Sequence, residues 1–361
     1  MKTENIHIGI VGAGNIGSTI YQLLKSTGCE YKISIADQVE KHNHFINDDD
    51  YYRLTVTKPT YDGHCTQFSQ FVNGKTLIVN ALPFHQNINL YTACFELGVP
   101  YFDLSEDDAL DKFIVDLNNN NIPFTMPHCG LAPGLSTVIA NELLKDIENP
   151  TSVKIRVGAL SQNASNKLRY YTSWSGEGLV NEYLGDCQVL EDGIYNTVDA
   201  LTGYEKITLD GREYEAFNTS GGLGTFAKSL EGKHKLLNLN YKTLRRIGHH
   251  DYVDFLFNDL KIPQTVLTGI FSKIPKTRKD AVILYASASG EGMDDERSYL
   301  KIFRPKAING RNLTAIEYTT AIGLLAMVEL FLTYKIPNVG YVRQEDVLWK
   351  DVTSTTFGSI Y

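Results

Sequence analysis

Residues 6–37 open with an apolar run, Ile6 to Val11, short enough to be a buried parallel strand. From Asn15 the spacing turns helical, with Ile16, Ile20, Leu23 and Leu24 on one face, and a second strand is expected over Tyr31 to Ala36. Further strands are expected at Leu54–Thr57, Thr76–Asn80, Val99–Leu104 and Ile122–Met126, with a helix ending near Leu97 and another over Asp107–Leu117. Strands alternating with helices predict a doubly wound parallel sheet of the Rossmann type.

Near residue 130 the pattern changes. An apolar helix over Leu135–Leu144 gives way to period-two stretches at Ser152–Leu160, Leu168–Trp174, Lys206–Tyr214 and Ala281–Ser287. Helical patterns return at Tyr252–Leu260 and Thr314–Leu332. The expected fold class is therefore α/β, a Rossmann doubly wound parallel sheet plus a second α+β substrate domain with a mixed sheet. The expected boundaries are 1–130 and 131–315, with 316–361 folding back onto the first domain.

Composition narrows the picture. A chain of 361 residues exceeds one compact core. Its 43% hydrophobic and 21% charged residues are ordinary for a globular protein. The net charge of −8 argues against nucleic acid or an anionic membrane as partner. The longest apolar stretch, Thr319–Leu332, is interrupted by Gly323 and Glu329 and reads as a buried helix, and the N-terminus has no signal-peptide pattern. Five cysteines stand singly, without metal-site spacing, which fits a reducing, cytoplasmic setting. His42, His44 and Asp48–Asp50 read as a solvated segment, so no metal is expected.

The candidate chemistry starts at Gly12-Ala13-Gly14-Asn15-Ile16-Gly17, a G-x-G-x-x-G turn between the first strand and its helix. Gly12 permits the tight turn, Gly14 lets a pyrophosphate approach the backbone, and Gly17 lets helix and strand pack closely. The helix N-terminus faces the phosphates. Asp37, ending the second strand, suits the ribose hydroxyls of NAD and would repel a 2′-phosphate, while Lys41 keeps NADP open. Ligands of such sheets lie at the carboxyl ends of the strands. That rule adds Asn80, Ala81, Leu82, Pro83, Asp103 and Leu104 to the cofactor set, with Pro127–Cys129 nearby.

Three phrases in the second half are diagnostic together: VGALSQN…YYTSWSGEGLVNEYL (Val157 to Leu184), EAFNTSGGLGTF (Glu215 to Phe226) and KTLRRIGHHD (Lys242 to Asp251). With VGAGNIG in front and HCGLAPG at the domain junction, the chain resembles the saccharopine dehydrogenase-like family, nearest in motif to its lysine 6-dehydrogenase branch. One departure is Arg246-Ile247, where the pattern has an aromatic residue and a proline. The resemblance implies NAD(P)-dependent oxidation of a C–N bond of an amino acid or amine, and a homodimer. For the lysine branch the products are the semialdehyde or its cyclic imine, with ammonia. The alternatives are a reductive condensation of the saccharopine or carboxynorspermidine type, or a protein that binds NAD without turnover.

Such chemistry needs a base near the amine, and His128, Glu177 and Asp103 are the catalytic candidates. His128 would face the nicotinamide or be a histidine held within the junction. Asp103 would anchor a ribose or ammonium, or cap the following helix. Glu177 would pair with the substrate ammonium while Trp174 walls its methylenes and Asn181 stands beside them, the alternative being a core patch. Thr219, Ser220 and Gly221 suit a carboxylate or a plain turn. Arg245 is the expected bidentate clamp on that carboxylate, or else a salt bridge, and His249 is a secondary substrate candidate.

Overall fold

A computed structural model describes residues 6–40, 45–55, 66–117, 122–233, 236–308 and 310–361. Two compact units result, Met1–Leu135 with Glu317–Tyr361, and Ser136–Ile316.

The first unit runs β1 (His7–Val11), α1 (Asn15–Ser26), β2 (Lys32–Asp37), β3 (Tyr51–Arg53), α2 (Thr66–Val72), β4 (Leu77–Asn80), α3 (Asn87–Leu97), β5 (Tyr101–Asp103), α4 (Asp108–Asp116) and β6 (Thr125–Met126). Its strands form a six-stranded parallel sheet in the order β3-β2-β1-β4-β5-β6. Ile8, Ile10, Val11, Leu77, Ile78 and Val79 are buried, as a strand covered on both faces requires. The order reverses between β1 and β4, so the sheet's crevice opens at their carboxyl ends.

The second unit opens with all but the first residue of an apolar helix, α5 (Leu135–Leu144). It comprises β7 (Pro150–Ser161), α6 (Gly176–Glu182), β8 (Asp186–Glu191), β9 (Ile194–Asp199), β10 (Glu205–Leu209), β11 (Arg212–Asn218), α7 (Phe226–Leu230), β12 (Asn238–Arg245), α8 (His250–Asp254), α9 (Gln264–Phe271), β13 (Asp280–Gly290), β14 (Arg297–Phe303), β15 (Lys306–Ile308) and β16 (Arg311–Leu313). The eight-stranded sheet is ordered β10-β11-β12-β7-β13-β14, with the β8–β9 hairpin on β12. Only β12 and β7 pair in parallel, so the sheet is mixed. Tyr170, Leu179, Tyr183, Phe217, Val253 and Phe271 form one core cluster, and Leu160, Tyr214, Ala216, Leu244 and Ile283 form another. Successive residues Ala216 and Phe217 enter different clusters, which puts the two on opposite faces of the sheet.

The chain closes with α10 (Ala315–Leu332) and α11 (Trp349–Ser354). The first is long and apolar enough to cross a membrane by composition, yet 72% of it is buried in protein. Phe331 packs on Phe124, ring centroids 4.5 Å apart, and a Cβ at Gly323 would meet the Gly130 carbonyl at 2.8 Å.

The expected fold class is borne out, with local corrections. The third strand is Tyr51–Arg53 and not Leu54–Thr57: Leu54 donates its N–H to the Asp37 carbonyl just past the strand, and residues 56–57 lie outside the described residues. Leu168–Trp174 is not a strand. The Asn166 side chain accepts the Tyr170 N–H and donates to the Tyr170 carbonyl, Arg169 is left-handed at φ 51°, and the stretch makes one bridge, Thr172 to Lys276. Lys206–Tyr214 is two strands folded at Asp210-Gly211, both at positive φ, as a two-residue hairpin turn demands. Asp192-Gly193 folds β8 onto β9 in the same way. The helix expected over Tyr252–Leu260 starts at His250 and widens into a π turn at Phe255–Asp259.

Candidate functional site

In the first unit the glycine turn has three different environments. Gly12 has φ 104°, and a Cβ there would lie 2.6 Å from the Ala81 carbonyl oxygen. A Cβ on Gly17 would lie 1.8 Å from the Gly12 carbonyl oxygen, which only glycine permits. Gly14 has open space around its Cβ position, and no side chain caps α1. Exposed Gly14 and Asn15, with half-buried Ile16, therefore leave room and backbone N–H groups for an anion. Asp37 accepts the Ala13 N–H at 2.6 Å and the Val39 N–H at 3.1 Å, so the acid at the end of β2 is tied to the glycine turn. Gly12 sits against Ala81 and Leu82, bringing the turn to the end of β4. These residues fit a dinucleotide: the turn for its pyrophosphate, Asp37 for a ribose. Lys41, His42 and His44 lie outside the described residues.

Behind this turn the strand ends carry a buried polar network. Asn80 donates to Asn87 Oδ1 and to the Tyr101 hydroxyl, each at 2.8 Å, and accepts the Leu82 N–H. The Asp103 carboxylate accepts from the Tyr101 hydroxyl, the Ser105 N–H and the His128 N–H. Burial pushes its pKa up to about 6, against the lowering effect of His128 and these donors. His128 lies at φ 62°, a conformation costing a non-glycine residue roughly 1–3 kcal/mol. Its Nδ1 is 2.8 Å from the Ser105 carbonyl oxygen, and its Nε2 is 3.0 and 3.1 Å from the Asp111 oxygens. Both partners only accept, so both ring nitrogens donate and the ring is an imidazolium. Burial alone lowers its pKa, but the bond and charge of Asp111, with Asp103 and Glu106 behind, outweigh that and raise it to about 10.

Two sequence expectations change here. His128 has no lone pair to receive a proton, so the structure opposes its use as a general base. Asp103 is wholly buried with its carboxylate engaged by three internal donors, and the cap of α4 is Asp107, which accepts the Ala109 and Leu110 N–H groups. Pro83 is exposed, and Leu82 and Leu104 are half-buried beside these strand ends.

In the second unit, three motifs distant in sequence meet. Ser220 donates its N–H to the Glu182 carbonyl and its hydroxyl to the Asn181 carbonyl, both at 2.9 Å. Arg245 donates to Glu182 (3.0 Å), the Tyr183 hydroxyl (2.9 Å) and the Leu244 carbonyl, with its guanidinium 5.1 Å from the Tyr170 ring centroid. The Tyr183 hydroxyl is 2.9 Å from His249 Nε2, and His249 Nδ1 is 2.8 Å from the Leu168 carbonyl. Proton positions follow: Nδ1 must donate to Leu168, so Nε2 accepts from Tyr183, which accepts from Arg245. Burial and the Arg245 charge agree, lowering the His249 pKa to about 3. Burial raises Glu182 to about 6, partly offset by Arg245.

Arg245 is therefore a buried partner of Glu182, with a side chain 3% exposed, and not an open clamp for a substrate carboxylate. His249 is fully buried inside the same chain of bonds. Thr219 is buried against Thr243, their hydroxyl oxygens 2.7 Å apart. Gly221 has φ 81°. Trp174 is half-buried, its Nε1 donating to the Tyr170 hydroxyl and its ring covering Gly178. Asn181 accepts from Gln264 at 2.9 Å. Glu177 is exposed on the first turn of α6, whose cap is Ser175. Sequence reasoning missed Tyr101, Asp111 and Tyr341, whose hydroxyl donates to Asp111 at 2.9 Å, and also Tyr170, Glu182 and Tyr183. The last three stand inside the quoted motif, whereas nothing in the sequence pointed to Tyr341.

The parallel sheet, its glycine turn and the acid after β2 define a dinucleotide-binding protein. The chain belongs to the saccharopine dehydrogenase family: the Saccharopine dehydrogenase NADP binding domain matches residues 8–123 and the Saccharopine dehydrogenase C-terminal domain matches residues 130–358. It is accordingly an NAD(P)-dependent dehydrogenase, and the resemblance read from the motifs is borne out at the level of the family. Its fold is similar to that of apo saccharopine dehydrogenase (L-Glu forming) from Saccharomyces cerevisiae, with a TM-score of 0.74 at 13% identity over 96% of this chain and 97% of that one. It is also similar to homospermidine synthase from Legionella pneumophila in complex with NAD, with a TM-score of 0.70 at 11% identity over 99% of this chain and 91% of that one.

Proposed function

We propose that this dehydrogenase oxidises the CH–NH group of an amino acid, and that its substrate is L-lysine, taken with NAD to the side-chain imine, from which water releases ammonia to give the semialdehyde, or the α-amine displaces ammonia to give the cyclic imine. The observation supporting it is the meeting of the three motifs around Asn181, Glu182 and Ser220 beside an exposed carboxylate, Glu177. The glycine turn and Asp37 hold NAD in preference to NADP. Held there, the dinucleotide would supply the hydride acceptor, and the chain's own residues supply binding, orientation and proton handling.

In this reading Glu177 binds the substrate amine and takes its proton, since it is exposed whereas both ring nitrogens of His128 are engaged as donors. Trp174 covers the methylenes, and the Thr219–Gly221 loop and Asn181 receive the amino-acid head. Arg245 is a positioning residue: it holds Glu182 and Tyr183, and through Glu182 the Ser220 backbone. The single cysteines and the family likeness support a cytoplasmic homodimer.

The test is to incubate the protein with NAD or NADP and L-lysine, saccharopine or a carboxylated polyamine, following the reduced cofactor and ammonia. Reduction with lysine and equimolar ammonia is expected. Reduction only with the secondary amines, without ammonia, would replace the reading by the condensing one. Glu177→Gln should lower turnover by about 100-fold or more without changing the melting temperature.

A further inference from the structure

Arg245 and Arg246 are consecutive but serve opposite faces of the mixed sheet. Arg245 lies with Tyr170 and Tyr183, whereas the Arg246 guanidinium lies over the Tyr214 ring, 5.4 Å from its centroid. On that second face there is a cavity of about 250 Å³. Its floor is aliphatic, with Leu160, Ile283 and Ile302, and its walls carry Arg212, Arg246 and Arg304. They come from β11, the end of β12 and the end of β14, three strands that the sheet order brings around β7 and β13.

Three guanidinium groups facing one hollow repel each other unless an anion answers them. The chain has 42 acidic residues for 34 basic ones, yet among the described residues none of these three arginines forms an ion pair. Asp210 borders the cavity at the β10–β11 turn and pairs with none of them, and Gln162 adds an amide to the wall. The two buried arginines of this unit are both paired, Arg156 with Glu205 and Arg245 with Glu182. The contrast is between arginines used as structure and arginines held open.

We propose that this cavity binds a small anion carrying two or more negative charges, of the phosphate or polycarboxylate type. Its carbon body lies on Leu160, Ile283 and Ile302, and its anionic groups take bidentate bonds from Arg246, Arg304 and Arg212. The site shares no residue with the glycine turn or with the Glu177–Arg245 cluster, so it is independent of the lysine reading. Arg246, the residue that departs from the family pattern, thereby has a role.

The full-length protein, saturated with NADH so that its dinucleotide phosphate site is filled, is titrated calorimetrically with pyrophosphate, citrate and acetate. One site per chain is expected for pyrophosphate or for citrate, the tighter of the two assigning the ligand as phosphate or carboxylate, with acetate at least tenfold weaker. Arg246→Gln and Arg304→Gln should each weaken that anion about tenfold and leave NADH affinity unchanged. Arg212→Gln and Arg304→Gln alter exposed side chains and serve where Arg246→Gln disturbs folding. Absence of binding by both polyanions, or binding that all three variants leave unaltered, overturns the proposal.

Discussion

The Asp37 carboxylate accepts the Ala13 backbone N–H at 2.6 Å, joining the end of β2 to the second residue of the glycine turn. One side chain thus ties the glycine turn and sets the charge beside it. A 2′-phosphate brought to this place would meet a carboxylate held in position by two backbone N–H groups. Asp37→Ser should shift the ratio of kcat/KM for NADP over NAD upward by on the order of tenfold. It should also raise KM for NAD, because the loop loses its tie. Steady-state kinetics with both cofactors checks this, and an unchanged ratio would remove Asp37 from cofactor selection.

The glycines of the turn separate folding from binding. A Cβ at Gly17 would overlap the Gly12 carbonyl, whereas a Cβ at Gly14 meets nothing within 4 Å. Gly14→Ala should therefore keep the melting temperature within about 1–2 °C and weaken NADH by about tenfold or more, the methyl standing where the pyrophosphate approaches. Gly17→Ala should destabilise the first unit as well, by roughly 2 kcal/mol or more, since backbone must move. Thermal melts paired with NADH fluorescence titration tell the two apart.

These results bear on what a sequence can disclose. The nucleotide half was legible because its signals are local: apolar runs of strand length, a glycine spacing, an acid at a strand end. The mixed sheet was less so. Asp192-Gly193 and Asp210-Gly211 are strong hairpin signals that the expected strands leave unused: the first lies outside all of them, and the second falls within Lys206–Tyr214, where the residues on either side both alternate. Site residues divided by range. Glu177 and Ser220 stand in quoted motifs, but His128 takes its charge from Asp111, seventeen residues away, which also accepts from Tyr341, 230 residues on. No local pattern announces such a pairing.

Arg245 and Glu182 form a buried ion pair of the kind that is costly to break from one side. Glu182→Gln or Arg245→Leu should lower the unfolding free energy by roughly 2–4 kcal/mol, less than for a wholly buried pair because Glu182 remains 26% exposed. Denaturant unfolding measures it. Arg245→Leu should in addition raise the His249 pKa from its depressed value, since the cation that lowers it is gone. A histidine titration followed by NMR reads that second effect, which simple loss of packing would not produce.

The charge on His128 gives stability a pH signature. An imidazolium whose folded pKa is about 10, against an unfolded value of 6.5, binds its proton more tightly in the native state. Its contribution is whole below pH 6.5 and is lost as pH rises toward about 10. His249 has the opposite sign: with a folded pKa of about 3 it stays neutral, and the unfolded chain gains a proton between pH 6.5 and 3, which destabilises the native state on acidification. Between them the two histidines place a stability maximum near neutral pH. His128→Gln should flatten the alkaline limb from pH 6.5 to 10 while leaving the acid limb intact, because the glutamine amide can still donate to Asp111 but carries no proton to lose. Melting temperatures across that range, wild type against variant, decide it; an alkaline limb as steep in His128→Gln as in the wild type would mean that His128 is neutral in the folded protein.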